Sequence, residues 1–163
     1  KGSTFTIRLP YKQPRPQTAA LITAPEEENT TPGVLQPDTK ARILLAEDNE
    51  INIMTIGNYL EDRGYQITIA RNGREAINLA QESLPDLILM DIQMPELDGL
   101  EAIRHLRAQE KFTSIPIITL TALAMPGDRE RCIAAGANDY LTKPVSVRDL
   151  AEKIQALLIP ANE

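Results

Sequence analysis

The 163-residue chain has one cysteine, Cys132, one histidine, His105, and no tryptophan. A single cysteine excludes an intrachain disulfide and a cysteine-based zinc site, and it suits a reducing compartment. No apolar run approaches the ~20 residues of a membrane-spanning helix. Nothing in the sequence resembles a signal peptide. The first residue is Lys1, so the sequence reads as a piece of a longer chain, with membrane segments upstream left open. Positive charge is scarce in the body of the chain. Residues 41–163 carry twelve Lys and Arg against nineteen Asp and Glu, about −7, within a formal net charge of −6. That is poor footing for sequence-independent nucleic-acid binding. A metal cation or a basic partner surface is the more natural ligand. Apolar residues at 42% and charged residues at 25% are ordinary for a globular domain, and the length allows one domain with extras.

The first forty residues lack a core-forming pattern. In KGSTFTIRLP, Phe5, Ile7 and Leu9 fall on one face and Thr4, Thr6 and Arg8 on the other. That is the period of a half-buried strand. No partner strand follows locally, and a lone strand is not stable in water. Residues 11–40 hold Pro14, Pro16, Pro25, Pro32 and Pro37 and the run Glu26-Glu27-Glu28. With few large apolar side chains to offset ordering entropy, they read as a linker. As a flexible coil such a segment spans roughly 30 Å.

From Arg42 onward strands and helices alternate. Ile43-Leu44-Leu45 and Leu87-Ile88-Leu89-Met90 are apolar runs without alternation, as expected of strands buried on both faces. Tyr65–Ala70, Ile115–Leu120 and Asp139–Leu141 supply three more strands. Helical spacing runs over Ile51–Leu60, stopping at Gly64 as a left-handed cap, and from Asn72-Gly73 with Ala76, Leu79 and Ala80 inward. Further helices carry Leu100, Ile103 and Leu106; run from Met125 to Ala135, ending at Gly136; and follow Ser146 with Leu150, Ile154, Leu157 and Leu158. Five β-α units imply a doubly wound α/β fold with a parallel sheet. In the order 2-1-3-4-5 the ends of strands one, three, four and five converge, and ligands bind beyond such ends.

The residues there are Glu47-Asp48, Asp91, Thr121 and Lys143. Two carboxylates about 4 Å apart repel by ~4 kcal/mol at an effective dielectric near 20. A hard divalent cation relieves this, and magnesium takes one or two carboxylates and keeps water and phosphate oxygens. Lys143 suits a phosphoryl oxygen and Thr121 adds a hydroxyl. An aspartate in that company can serve as a phosphoryl-accepting nucleophile.

Residues 41–159 resemble the receiver domain of two-component response regulators. The resemblance rests on LLAEDN at 44–49, LILMDIQMPELDG at 87–99, ITLTALA at 118–124 and DYLTKPV at 139–145. It implies a flavodoxin-like five-stranded sheet with five helices. It implies that Asp91 accepts a phosphoryl group from a phosphohistidine. Asp48 and Asp91 would ligate Mg2+ (Mn2+ is the alternative), with the Gln93 carbonyl, and with Glu47 acting through water. Lys143 would bind the acyl phosphate, its peptide to Pro144 usually being cis. Thr121 and Tyr140 would switch together. Gln93 and Leu123 would border the path of hydrolytic water. The output face would be helix four, strand five and helix five, roughly 126–158, also a candidate dimer face.

GSTFTIRLP at 2–10 is similar to the last strand of the ATP-binding domain of sensor histidine kinases. Kinase tail, linker and receiver, with a short tail at 160–163, are the layout of a hybrid histidine kinase. That implies a donor histidine in the kinase's own dimerisation helix, a histidine phosphotransfer protein as a further partner, a cytoplasmic location, and no nucleic-acid or direct membrane contact. The fragment alone would catalyse at most its own phosphorylation and slow hydrolysis.

Rival readings fare less well. A haloacid-dehalogenase-type phosphatase needs a second Asp two residues after its nucleophile, and here Gln93 stands there. A flavin-mononucleotide binder needs a hydroxyl- and glycine-rich loop where this chain has Glu47-Asp48. A degenerate receiver used only for docking would not need Asp48, Asp91, Thr121 and Lys143 together. His105 reads as a solvated helix residue, since Leu106 follows it where a kinase phosphohistidine has Glu. Cys132 reads as a half-buried small residue.

Overall fold

The computed structural model describes residues 41–122 and 127–158. The strand at 1–10, the linker at 11–40, Leu123 and the tail at 160–163 lie outside the described residues. Five parallel strands, β1 (Arg42–Ala46), β2 (Gln66–Ala70), β3 (Leu87–Asp91), β4 (Ile117–Thr121) and β5 (Asp139–Thr142), form a sheet in the order β2-β1-β3-β4-β5. Between and after them run α1 (Glu50–Glu61), α2 (Gly73–Ser83), α3 (Gly99–Arg107), α4 (Asp128–Ala135) and α5 (Val147–Leu158). The expected sheet order and helix count are both present.

The unalternated runs become the central strands. Successive side chains point to opposite faces, so each run feeds two cores. Leu44, Ile88 and Ile117 lie side by side in register on one face. There they meet Ala76 and Ala80 of α2, Leu100, Ile103 and Leu106 of α3, and Cys132 of α4. Ile43, Leu45, Leu87, Leu89, Ile118 and Leu120 face the other way, onto Ile56 and Leu60 of α1 and Leu150 and Ile154 of α5.

Several expectations are refined. Cys132 is buried, not half-buried, because the short helix α4 packs inward through Cys132 and Ala135 and leaves Ile133 40% exposed. The alternation at Tyr65–Ala70 does not become a clean inside and outside. β2 is an edge strand paired only with β1, and Ile69 stays 39% exposed. Helix α1 ends at Glu61, and Gly64 (φ +88°) acts three residues later, closing the reversal with its N–H on Glu61 O at 2.8 Å.

Side-chain caps set the helix starts nearest the strand ends. Asn49, Asn72 and Asp98 each accept from backbone N–H groups of the first turn, satisfying donors that have no intrahelical partner. Arg107, at the end of α3, was not foreseen as structural. Its guanidinium donates to Gly136 O (2.8 Å), Ile115 O (2.9 Å), Phe112 O and Asn138 Oδ1 (2.9 Å). It thereby ties α3 to the end of α4 and the start of β5. Burial lowers its pKa from the ordinary guanidinium value.

The loop after β3 folds back tightly. Gly99 N–H donates to Ile92 O at 2.9 Å, and a Cβ on Gly99 would lie 2.0 Å from Asp91 O. Gly57, inside α1, has nothing within 4 Å of the same position. Gly99→Ala should therefore cost ~1–3 kcal/mol of stability through forced backbone movement. Gly57→Ala should gain ~0.5–1 kcal/mol from helix propensity. Urea unfolding of the two variants checks this, and comparable losses in both would contradict it.

Candidate active site

Each acidic residue follows directly from where its strand stops. Glu47 N–H donates to Ala70 O at 3.0 Å, extending the β1–β2 pairing by one residue, and buries the Glu47 side chain completely. Asp48 comes next, exposed, just before the cap of α1. Asp91 closes β3 and is only 2% exposed. Thr121 closes β4 and is buried. Lys143 leaves β5 with its N–H on Thr121 O at 2.7 Å, and its peptide to Pro144 is cis.

The side chains then meet. Lys143 Nζ lies 2.6 Å from Asp91 Oδ2, 3.0 Å from Glu47 Oε1 and 2.7 Å from Glu47 Oε2. Oxygens of Glu47, Asp48 and Asp91 all fall within 4.8 Å of one another. Asp91 Oδ1 accepts the N–H of Gln93 at 3.0 Å, and the Gln93 side chain is exposed. Tyr140 is half-buried in β5, opposite Thr119 in register. His105 is exposed, as expected.

Charge in this cleft is unbalanced. Burial pushes the Asp91 carboxyl above its ordinary pKa, and the Glu47 charge pushes the same way. The hydrogen bonds from Lys143 and Gln93 N–H pull it down, but not far enough. Burial lowers the Lys143 pKa, yet its pairing with Asp91 and Glu47 outweighs this and holds the ammonium above its ordinary value. One lysine thus serves two buried carboxylates with a third beside them.

The two oxygens of Glu47 differ. Oε1 accepts from Asn49 N–H (3.3 Å), Asn52 Nδ2 (3.0 Å) and Lys143 Nζ. Oε2 is close to Lys143 but receives no directed hydrogen bond, and it is buried. The 2.7 Å contact is an ion pair, closer than the 3.0 Å from Nζ to Oε1, but its geometry is not that of a hydrogen bond. Oxygen ligands of this kind fit a hard divalent cation. Oε2, which has this ion pair but no hydrogen bond, fits a water carried by that cation. Asn52 was missed from the sequence; its signal was an amide in the first turn of a helix capped by Asn49, five residues after Glu47.

The pattern of the response regulator receiver domain matches residues 43–155. The chain belongs to that family. This receiver is 44% identical to the polar-differentiation response regulator DivK of Brucella anthropi over 116 residues, 71% of this chain and 94% of DivK. It is similar to the receiver domain of a sensor histidine kinase from Pseudomonas aeruginosa PAO1, solved with magnesium in its active-site cleft. The two are 43% identical with a TM-score of 0.69, covering 74% of this chain and 98% of that one. It is also similar to the receiver domain of the Saccharomyces cerevisiae response regulator Ssk1, solved with the histidine phosphotransfer protein Ypd1. There the identity is 36% and the TM-score 0.67, covering 71% of this chain and 87% of that one. The Glu47, Asp48 and Asp91 pocket is the acidic site of a phosphoacceptor receiver, of the type that binds Mg2+. Among the described residues no helix is long and apolar enough to cross a membrane.

The raised Asp91 pKa fixes a sign. The folded state holds the proton to higher pH than the unfolded state, so ionisation of Asp91 costs stability. Without metal, this contribution should fall as pH rises from the ordinary aspartate range through the raised value. Lys143 follows the same sign at higher pH: its ion pairs stabilise the fold through the neutral range, and that share is lost only as pH rises through its own raised, alkaline pKa. A cation favours ionised Asp91, so the stabilisation by Mg2+ should grow across the acidic interval. At ten times its dissociation constant, Mg2+ should add about 1.4 kcal/mol. Melting curves in chelator and in Mg2+ at several pH values check this. An increment that shrinks with rising pH would contradict it.

Proposed function

We propose that this receiver takes a phosphoryl group from a phosphohistidine onto Asp91 and works within a hybrid histidine kinase. The observation that carries the reading is Asp91 itself, buried at the end of β3 with Lys143 on one oxygen and Gln93 N–H on the other. A carboxylate held this way is an oriented nucleophile. An Asp91 oxygen forms the bond to phosphorus as the nitrogen–phosphorus bond of the histidine breaks, and the imidazole leaves with that electron pair. Asp48, Asp91 and the Gln93 carbonyl would hold Mg2+ or Mn2+, with Glu47 acting through water. The bound cation supplies charge neutralisation at the phosphoryl oxygens. Lys143 exchanges its pairing with Asp91 for a phosphoryl oxygen. Thr121 donates its hydroxyl there, and Tyr140 moves with it. The change is read on α4, β5 and α5, which also form the candidate dimer face.

The wider setting is drawn from the sequence. Residues 1–10 end a kinase ATP-binding domain, 11–40 are the linker, 41–159 the receiver and 160–163 a tail. The donor histidine lies in the kinase's own dimerisation helix, and a histidine phosphotransfer protein is the onward partner. The domain sits on the cytoplasmic side, anchored if at all through segments upstream. The Pseudomonas receiver supports a kinase parent, and the Ssk1 complex supports a phosphotransfer partner.

Intact mass after incubation with acetyl phosphate tests the reading. The wild type should gain one phosphoryl group only with Mg2+, and Asp91→Asn should gain none. Thr121→Ala should still be phosphorylated but show smaller amide shifts over 128–158. No gain in the wild type despite metal binding would instead favour a docking module. A gain in Asp91→Asn would overturn the assignment of Asp91.

A further inference from the structure

We infer that Asn52 is a positioning residue for the cation site: its side-chain amide holds the Glu47 carboxylate so that Oε2 faces the cation's water. The inference rests on the magnesium-dependent reading of the site given above. Asn52 lies in the first turn of α1, its own N–H bound to Asn49 Oδ1 at 3.2 Å. In a capping box the side chain at this position reaches back to the N-cap N–H. Here the Asn49 N–H is taken by Glu47 Oε1, and Asn52 Nδ2 donates to the same oxygen at 3.0 Å. The amide therefore serves the buried carboxylate and not the helix.

Glu47 has a freedom that needs such a partner. A carboxylate can turn about its last bond and present either oxygen. Of the three donors on Oε1, Lys143 is shared with Asp91 and, in the proposed reaction, leaves for the phosphoryl group. The Asn49 N–H is the longest of the three, at 3.3 Å. Asn52 is the donor that is both short and anchored, since the capped first turn of α1 fixes it. It thus keeps Oε1 occupied and leaves the buried Oε2, which has the Lys143 ammonium beside it at 2.7 Å but no hydrogen-bond donor of its own, as the oxygen with capacity for water on the cation. Groups that orient a metal's ligands in this way commonly change metal affinity by 10- to 100-fold on removal.

The role depends on the length of Glu47. An aspartate there would withdraw the carboxylate by one methylene and break the contact with Asn52. The test is therefore a cycle: calorimetric Mg2+ titration of the wild type, Asn52→Ala, Glu47→Asp and the double variant, with metal-free melting of each. Asn52→Ala should weaken Mg2+ binding about tenfold, while metal-free melting falls only by what one lost hydrogen bond to a buried carboxylate costs. In the Glu47→Asp background the same change should alter affinity by less than about twofold, the scatter expected of uncoupled sites. Asn52→Gln, which keeps the amide donor with enough reach to meet Oε1, should recover part of the affinity and covers the case in which Glu47→Asp fails to fold. An equal loss in both backgrounds, or lower melting with unchanged Mg2+ affinity, would overturn the inference and leave the function intact. A wild type that binds no Mg2+ would overturn the underlying reading as well.

Discussion

A single ammonium group, Lys143 Nζ, stands between two buried carboxylates, and the rest of the site depends on that contact. Asp91 and Glu47 are both removed from water, where each alone would be strongly penalised. Lys143 lies within 3 Å of both and is itself held protonated by them. Yet one positive charge cannot balance two buried acids with Asp48 beside them. Burial first, and the Glu47 charge beside it, hold the Asp91 pKa above its ordinary value despite Lys143, and Glu47 Oε2 has the Lys143 ammonium beside it but no hydrogen-bond donor. Both are relieved by additional positive charge, first from a divalent cation. The fold thus keeps a standing demand for the ion that the phosphoryl chemistry uses.

Sheet topology is what makes the contact. Lys143 is 52 residues from Asp91 and 96 from Glu47 in sequence. The order β2-β1-β3-β4-β5 sets β5 one strand away from β3, roughly 10 Å at the usual strand spacing. A lysine has the reach to cross the end of β4 and meet both acids. Thr121 occupies that end, so it stands where the lysine passes. The close approach of Gly99 to Asp91 O holds the loop after β3 against the strand end, and Gln93 N–H lies there to orient the carboxylate.

Much of this was legible in the sequence. The runs 43–45 and 87–90 lack alternation because their strands are covered on both faces, and that gave away a parallel sheet. The charged residues placed just after those runs then had to converge. Asn72 and Ser146 announced helix starts through their own side-chain chemistry. What stayed hidden was polar and tertiary. Arg107 binds oxygens from two segments, 112–115 and 136–138, an arrangement with no period and no motif. Asn52 works through a residue five positions back, across a strand end and a helix cap. Cys132 was placed too shallow because an eight-residue helix offers few inward positions, and both Cys132 and Ala135 fill them.

The most direct test of the account is a carbon-13 NMR titration of the Asp91 side-chain carboxyl in metal-free protein, repeated with Mg2+. The account predicts a midpoint above the ordinary aspartate value without metal, and a midpoint moved downward when Mg2+ is bound. A metal-free midpoint at or below the ordinary value would mean that Lys143 already balances the cleft, and the demand for a cation would not exist.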